Sequence, residues 1–318
     1  VSTSRFVPSL SRRLIQAAAA AAATVVLFAA GSLAANSASA ATAARSAATA
    51  ARLAYDPMTG TMVTVYKPTG STPVRPEKLT HPASDSMGTV TRAHGGGNTG
   101  SAAAAAITAA VSGLPGIDVS SHQGNLNWAS IAPHIDFAYA KATEGTYYTN
   151  PDFANQYEGP YNQGVIRGAY HFGIPNNSTG VTQADYFVRH GGGWSADGLT
   201  LPGALDIEYN PYGAECYGLT KAQMTSWIWA FVNEYAFDTG VYPVIYSTYD
   251  WWNTCTSSDK GFASHDPFWI ARYASSAGTL PAGYSFYTFW QYADSGSEPG
   301  DQDVFNGAYS RLQALALG

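Results

Sequence analysis

From Leu114 onward, short apolar runs alternate with stretches whose apolar residues recur at helical spacing. Gly116–Val119, Phe137–Ala142, Val165–Tyr170 and Leu201–Ile207 read as strands, because each is a short, mainly apolar run, and the apolar Leu201–Leu205 reads as a buried one. Val244–Tyr246, Phe268–Ile270, Phe286–Gln291 and Val304–Phe305 continue the series. Between the early strands the pattern predicts helices near Trp128–Ala132 and over Phe153–Gln163 and Thr182–His190. A long amphipathic helix follows over Thr220–Phe237, with Trp227, Ile228, Phe231, Val232 and Tyr235 on its apolar side. A last helix is expected over Gly307–Ala316. Strand–helix alternation of this kind argues for a parallel sheet with crossover helices. Eight strand candidates in about 200 residues then predict a small α/β architecture, an eight-stranded (β/α) barrel. The later connections are short of helix, so the barrel is expected to be irregular.

The first 113 residues have a different texture. Arg5, Arg12 and Arg13 precede an apolar, Ala-rich run from Leu14 to Ala30, and Ser37-Ala38-Ser39-Ala40 supplies small residues suited to signal cleavage. Residues 1–40 therefore read as an export signal, with Ser11-Arg12-Arg13-Leu14-Ile15 weakly similar to a twin-arginine signal. This implies a secreted, extracellular protein with no stable membrane association once the signal is removed. Residues 41–113 pass through Ala-rich, Pro/Thr/Ser-rich and Gly-rich blocks and read as a linker or pro-segment, expected to be disordered. One short strand is expected at Met62–Tyr66 and a short helix over Ala102–Val111. Residues 114–318 form the expected catalytic domain.

Charge follows the same division. Residues 1–113 carry nine Lys/Arg against three Asp/Glu, and residues 114–318 carry seven against nineteen. So acidic a domain would repel nucleic-acid phosphates and is a poor partner for them. Aromatic residues make up 13% of the chain against 12% charged, with 21 Tyr and 8 Trp. Flat rings with a polar handle suit contact with sugars, although most of them are expected to fill the core. The two cysteines, Cys216 and Cys255, lack metal-ligand spacing and read as a disulfide in an exported chain. No group of His, Asp and Glu has ligand spacing, and no Gly-rich phosphate loop precedes a helix, so neither metal nor cofactor is expected.

The candidate chemistry centres on Ala204-Leu205-Asp206-Ile207-Glu208. Side chains two apart on a strand point the same way, so Asp206 and Glu208 stand side by side at an apolar strand end. Like charges so close resist double ionisation, and burial opposes it further, so one carboxyl should hold its proton toward neutral pH. In parallel barrels the working residues gather at the C-terminal ends of the strands. That rim collects Asp118, Lys141, Glu144, Tyr170, His171, Asp206, Glu208, Tyr246 and Gln291, with Asp301 and Asp303 at the opening of the eighth strand. Lys141, Glu144, Tyr170, His171, Tyr246, Trp269 and Gln291 are the candidate substrate contacts. His171 and Trp269 fit core positions as well, and Lys141 and Glu144 can simply pair with each other.

Five ordered blocks sharpen the picture. Gly116-Ile117-Asp118-Val119-Ser120, Ala138-Tyr139-Ala140-Lys141-Ala142-Thr143-Glu144-Gly145, Arg167-Gly168-Ala169-Tyr170-His171-Phe172, Leu205-Asp206-Ile207-Glu208 and Phe289-Trp290-Gln291-Tyr292 stand in this order. Together they resemble the glycoside hydrolase family 25 lysozymes, over about residues 116–316. The resemblance implies a TIM-barrel-like enzyme that cleaves the β-1,4 bond from N-acetylmuramic acid to N-acetylglucosamine in peptidoglycan, acting as a monomer on glycan strands. It implies Glu208 as general acid, Asp206 as its partner, and Asp118 and Asp301 as further catalytic acids. Asp303 stands where the family usually has Asn, which leaves open whether Asp301 or Asp303 is the fourth pocket acid. A cysteine pair in these places is also frequent in the family. Asp206 either positions the substrate's 2-acetamido group for attack on the anomeric carbon or acts directly as base or nucleophile. Two other readings are a glycan-binding protein with impaired catalysis and a chitinase-like N-acetylglucosaminidase. A family 18-like chitinase would need a longer acidic run before the D-x-E, and Leu201-Pro202-Gly203-Ala204-Leu205 lacks it.

Overall fold

The computed structural model describes residues 51–56, 61–66, 87–88 and 111–318. The expected export signal and the expected helix from Ala102 lie outside these residues. Strands β1 (Ala51–Asp56) and β2 (Thr61–Tyr66) pair in a two-stranded sheet, and β2 contains the strand expected at Met62–Tyr66.

The second sheet closes on itself. Its strands are β3 (Leu114–Val119), β4 (Phe137–Glu144), β5 (Tyr148–Thr149), β6 (Ile166–Phe172), β7 (Ala204–Asp206), β8 (Val244–Ser247), β9 (Phe268–Ala271), β10 (Phe289–Ala293) and β11 (Asp301–Phe305). Eight of them form the barrel, with β3 pairing with β4 to complete the circuit and β5 appended to the edge of β4. Seven strands run parallel around the wall. The eighth, β11, is antiparallel to both β10 and β3, a departure from the all-parallel sheet expected from sequence. The reason is length: the link Asp294–Gly300 is too short for a crossover, and a short link can only return as a hairpin. Gly300, at φ +83°, makes the turn into β11, and a Cβ there would lie 2.1 Å from the Asp118 carbonyl oxygen. The start of β11 therefore reaches the same rim as the ends of the other strands.

Helices α1 (Trp128–Ile131), α2 (Phe153–Asn162), α3 (Gly180–Phe187), α4 (Lys221–Thr239), α5 (Tyr249–Cys255) and α6 (Tyr309–Leu317) surround the wall. No helix links β9 to β10. The longest, α4, begins at a capping box in which the Thr220 side chain accepts from Gln223 N and Gln223 reaches back, and it stops at left-handed Gly240. Its Phe231, Val232 and Tyr235 pack on Phe187, Leu205 and Ile245 between barrel and helix. Inside the barrel, Phe137, Tyr139, Ile166, Tyr170, Val244, Tyr246, Trp269, Phe289 and Phe305 form a second buried cluster. Strand alternation sorts most of the two clusters: Ile166, Tyr170, Val244 and Tyr246 lie in the inner one, and Ala169 and Ile245 between them lie in the outer one. Within the described residues no helix is long and apolar enough to cross a membrane.

Candidate active site

The upper end of the barrel interior is acidic. Asp118 near the end of β3, Asp206 ending β7, Glu208 just beyond it, and Asp301 opening β11 are all buried. Gln291 on β10 ties this layer together. Its Nε2 donates to Asp118 Oδ2 at 2.7 Å and to Asp301 Oδ2 at 3.2 Å, while its Oε1 accepts from Tyr246 Oη at 2.7 Å and Tyr273 Oη at 2.9 Å. Asp303 lies one inward position further along β11, opposite Gly116, and its Oδ1 accepts from Trp269 Nε1 at 3.0 Å. Both β11 acids are thus interior, Asp301 at the rim level of Asp118 and Asp303 one layer below it.

Burial sets the protonation of these groups. Asp118 is pushed up to about 7 by loss of solvent, against the opposing hydrogen bonds of Gln291 and Asp303. Burial also raises Asp206 well above the carboxylate range, with the nearby charges of Glu208, Asp118 and Glu144 adding to it and Lys141 opposing. Asp303 is raised by burial, then by Asp118 and Asp301. Of the pair Asp206 and Glu208, Asp206 is thus a proton holder in the free protein. Among the described residues neither oxygen of Asp206 has a hydrogen-bond partner. An amide N–H delivered there by a bound molecule would supply the missing donor and favour the ionised form.

The second strand contributes an ion pair. Lys141 Nζ lies 2.6 Å from Glu144 Oε2, both fully buried. A one-residue irregularity in β4 between Lys141 and Thr143 brings these side chains to one side despite their odd spacing. Glu144 Oε1 also accepts from Tyr147 Oη at 2.8 Å and Tyr212 Oη at 2.5 Å, so this carboxylate is fixed from several directions. Glu208 Oε1 accepts from the backbone N of Gly88 at 2.6 Å, and Met87 N donates to Tyr170 Oη at 3.4 Å.

The structure brings Asp118, Asp206, Glu208, Asp301, Lys141, Glu144, Tyr170, Tyr246 and Gln291 to one end of the barrel. It does not bring His171 there. Tyr170 faces inward, so His171, the next residue, faces the helices. Its Nδ1 lies 2.8 Å from Thr143 Oγ1, its Nε2 lies 2.9 Å from Gln183 Oε1, and its ring stacks on Phe231 at 5.3 Å. Trp269 is likewise fully enclosed, with its ring 4.9 Å from Tyr139 and 5.4 Å from Tyr246, below the acids rather than beside open space. Cys216 and Cys255 form a disulfide with Cα atoms 5.3 Å apart.

Tyr217, Tyr212 and the Met87–Gly88 pair escaped the sequence reading, whereas Tyr273 stands where the end of the sixth strand is expected to meet the rim. Tyr217 follows Cys216 at φ +57°, is buried, and is held above the usual phenol range by burial and then by Asp206, Glu208 and Glu144. These residues lie in loops, where no periodicity marks them. The structure also gathers three carboxylates that sequence spacing did not suggest. Asp185, Glu234 and Asp238, on the helical layer, place ligand atoms within 4.8 Å of one another, and Asp185 pairs with Arg189 at 3.2 Å.

Comparison with known proteins places this geometry. Residues 117–301 match the sequence model of glycosyl hydrolases family 25. The chain is 45% identical over 247 residues to Lysozyme M1 of Streptomyces globisporus, covering 76% of this chain and 84% of that one. It is 44% identical over 210 residues to the N,O-diacetylmuramidase of Chalaropsis sp, covering 64% of this chain and all of that one. The solved structure of a muramidase from Acremonium alcalophilum is 54% identical, covers 64% of this chain and 99% of its own, and superposes with a TM-score of 0.63.

Proposed function

The chain belongs to glycosyl hydrolase family 25, and we propose that it is a peptidoglycan-cleaving lysozyme whose catalytic pair is Asp206 and Glu208. It would cut the β-1,4 bond between N-acetylmuramic acid and N-acetylglucosamine. The observation that carries the residue assignment is the end of β7. Two buried carboxyls stand there on one side of the chain, one with both oxygens lacking a partner among the described residues. Asp118 and Asp301 enclose the same space with Gln291 between them.

In this reading Glu208 gives its proton to the glycosidic oxygen as the bond to the anomeric carbon breaks. The substrate's own acetamido oxygen attacks that carbon and forms a cyclic intermediate. Asp206 releases its proton to solvent as the glycan binds, and its carboxylate then accepts a hydrogen bond from the acetamido N–H, which orients the group and offsets the positive charge it acquires. Water then opens the ring, losing a proton to the Glu208 carboxylate, so both carboxyls return to their starting states. Tyr246 and Tyr273 fix Gln291, and Gln291 fixes Asp118 and Asp301. Lys141, Glu144 and Tyr170 supply further polar contacts to the glycan. The relatives named muramidases, one an N,O-diacetylmuramidase, support muramic acid, including its O-acetylated form, as the sugar on the cleaved side.

The proposal extends to an exported, monomeric enzyme acting on glycan strands in the wall, with residues 1–40 as signal and the barrel as catalytic domain. Parallel digestion of purified peptidoglycan and chitin tests the activity. New reducing ends that are N-acetylmuramic acid are expected from peptidoglycan. Release of N-acetylglucosamine reducing ends from both substrates would instead assign a chitinase-like glucosaminidase.

A further inference from the structure

We propose that Met87 and Gly88 form an internal inhibitory plug: these two residues occupy the catalytic pocket and block Glu208 until they are displaced or cut away. This rests on the assignment of Glu208 as the proton donor. Three observations at one place carry it. The Gly88 N–H donates to Glu208 Oε1 at 2.6 Å, across 120 residues of sequence. A proton passing from Glu208 to a glycosidic oxygen needs that oxygen beside the carboxyl, where the Gly88 backbone now stands.

Met87 is the second observation. Its side chain is fully buried within the interior cluster that contains Tyr170, Tyr246 and Trp269, and its N–H points at Tyr170 Oη. Burial of an apolar side chain favours its placement, and this thioether is held by the barrel interior. The third is the fit of the glycine. At φ +71° the backbone is in the left-handed region, and a Cβ would lie 1.9 Å from Tyr273 Oη, 2.8 Å from Gln291 Oε1 and 3.1 Å from Tyr246 Oη. Glycine alone approaches these three pocket groups so closely. Met87, Gly88 and the barrel also belong to one compact unit.

The comparisons agree in length. The alignment with Lysozyme M1 covers 76% of this chain, more than residues 114–318 amount to, so it extends upstream of the barrel. The Chalaropsis protein aligns over its whole length with only 64% of this chain. A barrel-length relative therefore exists without a counterpart to most of the upstream segment. On one chain, the plug faces its pocket at an effective concentration on the order of millimolar, so even a weak contact stays occupied. Cleavage between Gly88 and Leu114 makes it an ordinary ligand that dilution removes.

The test uses the full chain with a specific protease site replacing Gly95-Gly96-Gly97. Initial rates on purified peptidoglycan are measured at high dilution before and after cutting, for wild type and for Gly88→Val. Cutting should raise the wild-type rate by about tenfold or more. Gly88→Val should bring the uncut chain to that rate, with no further gain on cutting. Equal rates for cut and uncut wild type, with Gly88→Val unchanged, would overturn the plug. Peroxide oxidation of Met87, followed by mass spectrometry, reads the same contact without activity. Protection in the uncut chain that is lost on cutting or in Gly88→Val supports the plug, and equal reactivity throughout refutes it. If no form releases sugar from peptidoglycan, the lysozyme reading fails, and the oxidation result still decides whether Met87 is held.

Discussion

Asp118 and Asp301 are direct partners across the antiparallel seam between β3 and β11, and one amide nitrogen, Gln291 Nε2, donates to both. The same side chain accepts from two tyrosines. Gln291→Glu keeps the acceptors for Tyr246 and Tyr273 but turns the donor into a third carboxyl facing two others. Near pH 5 the new group can hold a proton and donate as the amide did, so stability should stay close to wild type. As pH rises the native site holds that proton more tightly than the unfolded chain does, so stability falls, by on the order of 2 kcal/mol at pH 8. Denaturant unfolding at the two pH values checks this, and a pH-independent difference between variant and wild type would contradict it.

Strand alternation made much of the site legible. Asp206 and Glu208 share a face because they are two apart, and the rim rule places Asp118, Tyr170, Tyr246 and Gln291 at one end from sequence alone. The same rule, applied strictly, would have removed His171, since an inward Tyr170 forces its neighbour outward. Lys141 and Glu144 escape simple alternation because the irregularity in β4 shifts phase between them. The direction of β11 was hidden in the length of a loop rather than in any apolar pattern. Tyr217 and Gly88 were illegible because both reach the acids through positive-φ loop positions fixed by tertiary contacts. No local sequence signal reports such contacts.

The Cys216–Cys255 bridge ties the loop after β7 to the end of α5, across a sequence separation of 39. Closing a loop of that length contributes roughly 3–4 kcal/mol in the chain-entropy treatment. Trp251 Nε1 donates to Glu215 O at 3.1 Å beside the bridge, and Tyr217 follows Cys216 directly, so the bridged loop also carries a residue toward the acids. Cys255→Ser should lower stability by about that amount and reduce turnover as well. Urea unfolding and initial rates below the transition measure the two effects separately.

His171 is buried and neutral, its imidazole pushed down to about 3 by loss of solvent, with Lys141 adding to the effect and Gln183 opposing it. The unfolded chain takes up a proton near 6.5 that the native site refuses. Between those values the unfolded state binds more protons, so stability is full above about pH 6.5 and declines as pH falls toward 3. His171→Gln loses contacts to Thr143 and lowers stability at every pH. Its distinguishing sign is the slope: the pH dependence of unfolding free energy between about 6 and 4 should shrink by close to one proton relative to wild type. An unchanged slope would mean that other groups govern the acid limb.

Asp206 and Glu208 stand two residues apart and are expected to fail in different ways. Glu208→Gln removes the transferable proton with little change of shape. General acid catalysis contributes roughly 10²–10⁴-fold, so turnover on peptidoglycan should fall by that factor while glycan binding persists. A substrate with a good leaving group needs less protonation and should partly restore this variant. Asp206→Asn should be as impaired, because an amide cannot offset the charge that the acetamido group gains. A better leaving group should not restore it, since its defect lies in delivering the nucleophile. A thiazoline that mimics the cyclised acetamido group should bind wild type more tightly than Asp206→Asn, by a margin that calorimetry can read. If wild type cleaves a substrate lacking the N-acetyl group on the cleaved sugar at an undiminished rate, the acetamido group is not the nucleophile. Asp206 would then be the direct nucleophile or base, and the two variants would separate only in their response to the leaving group.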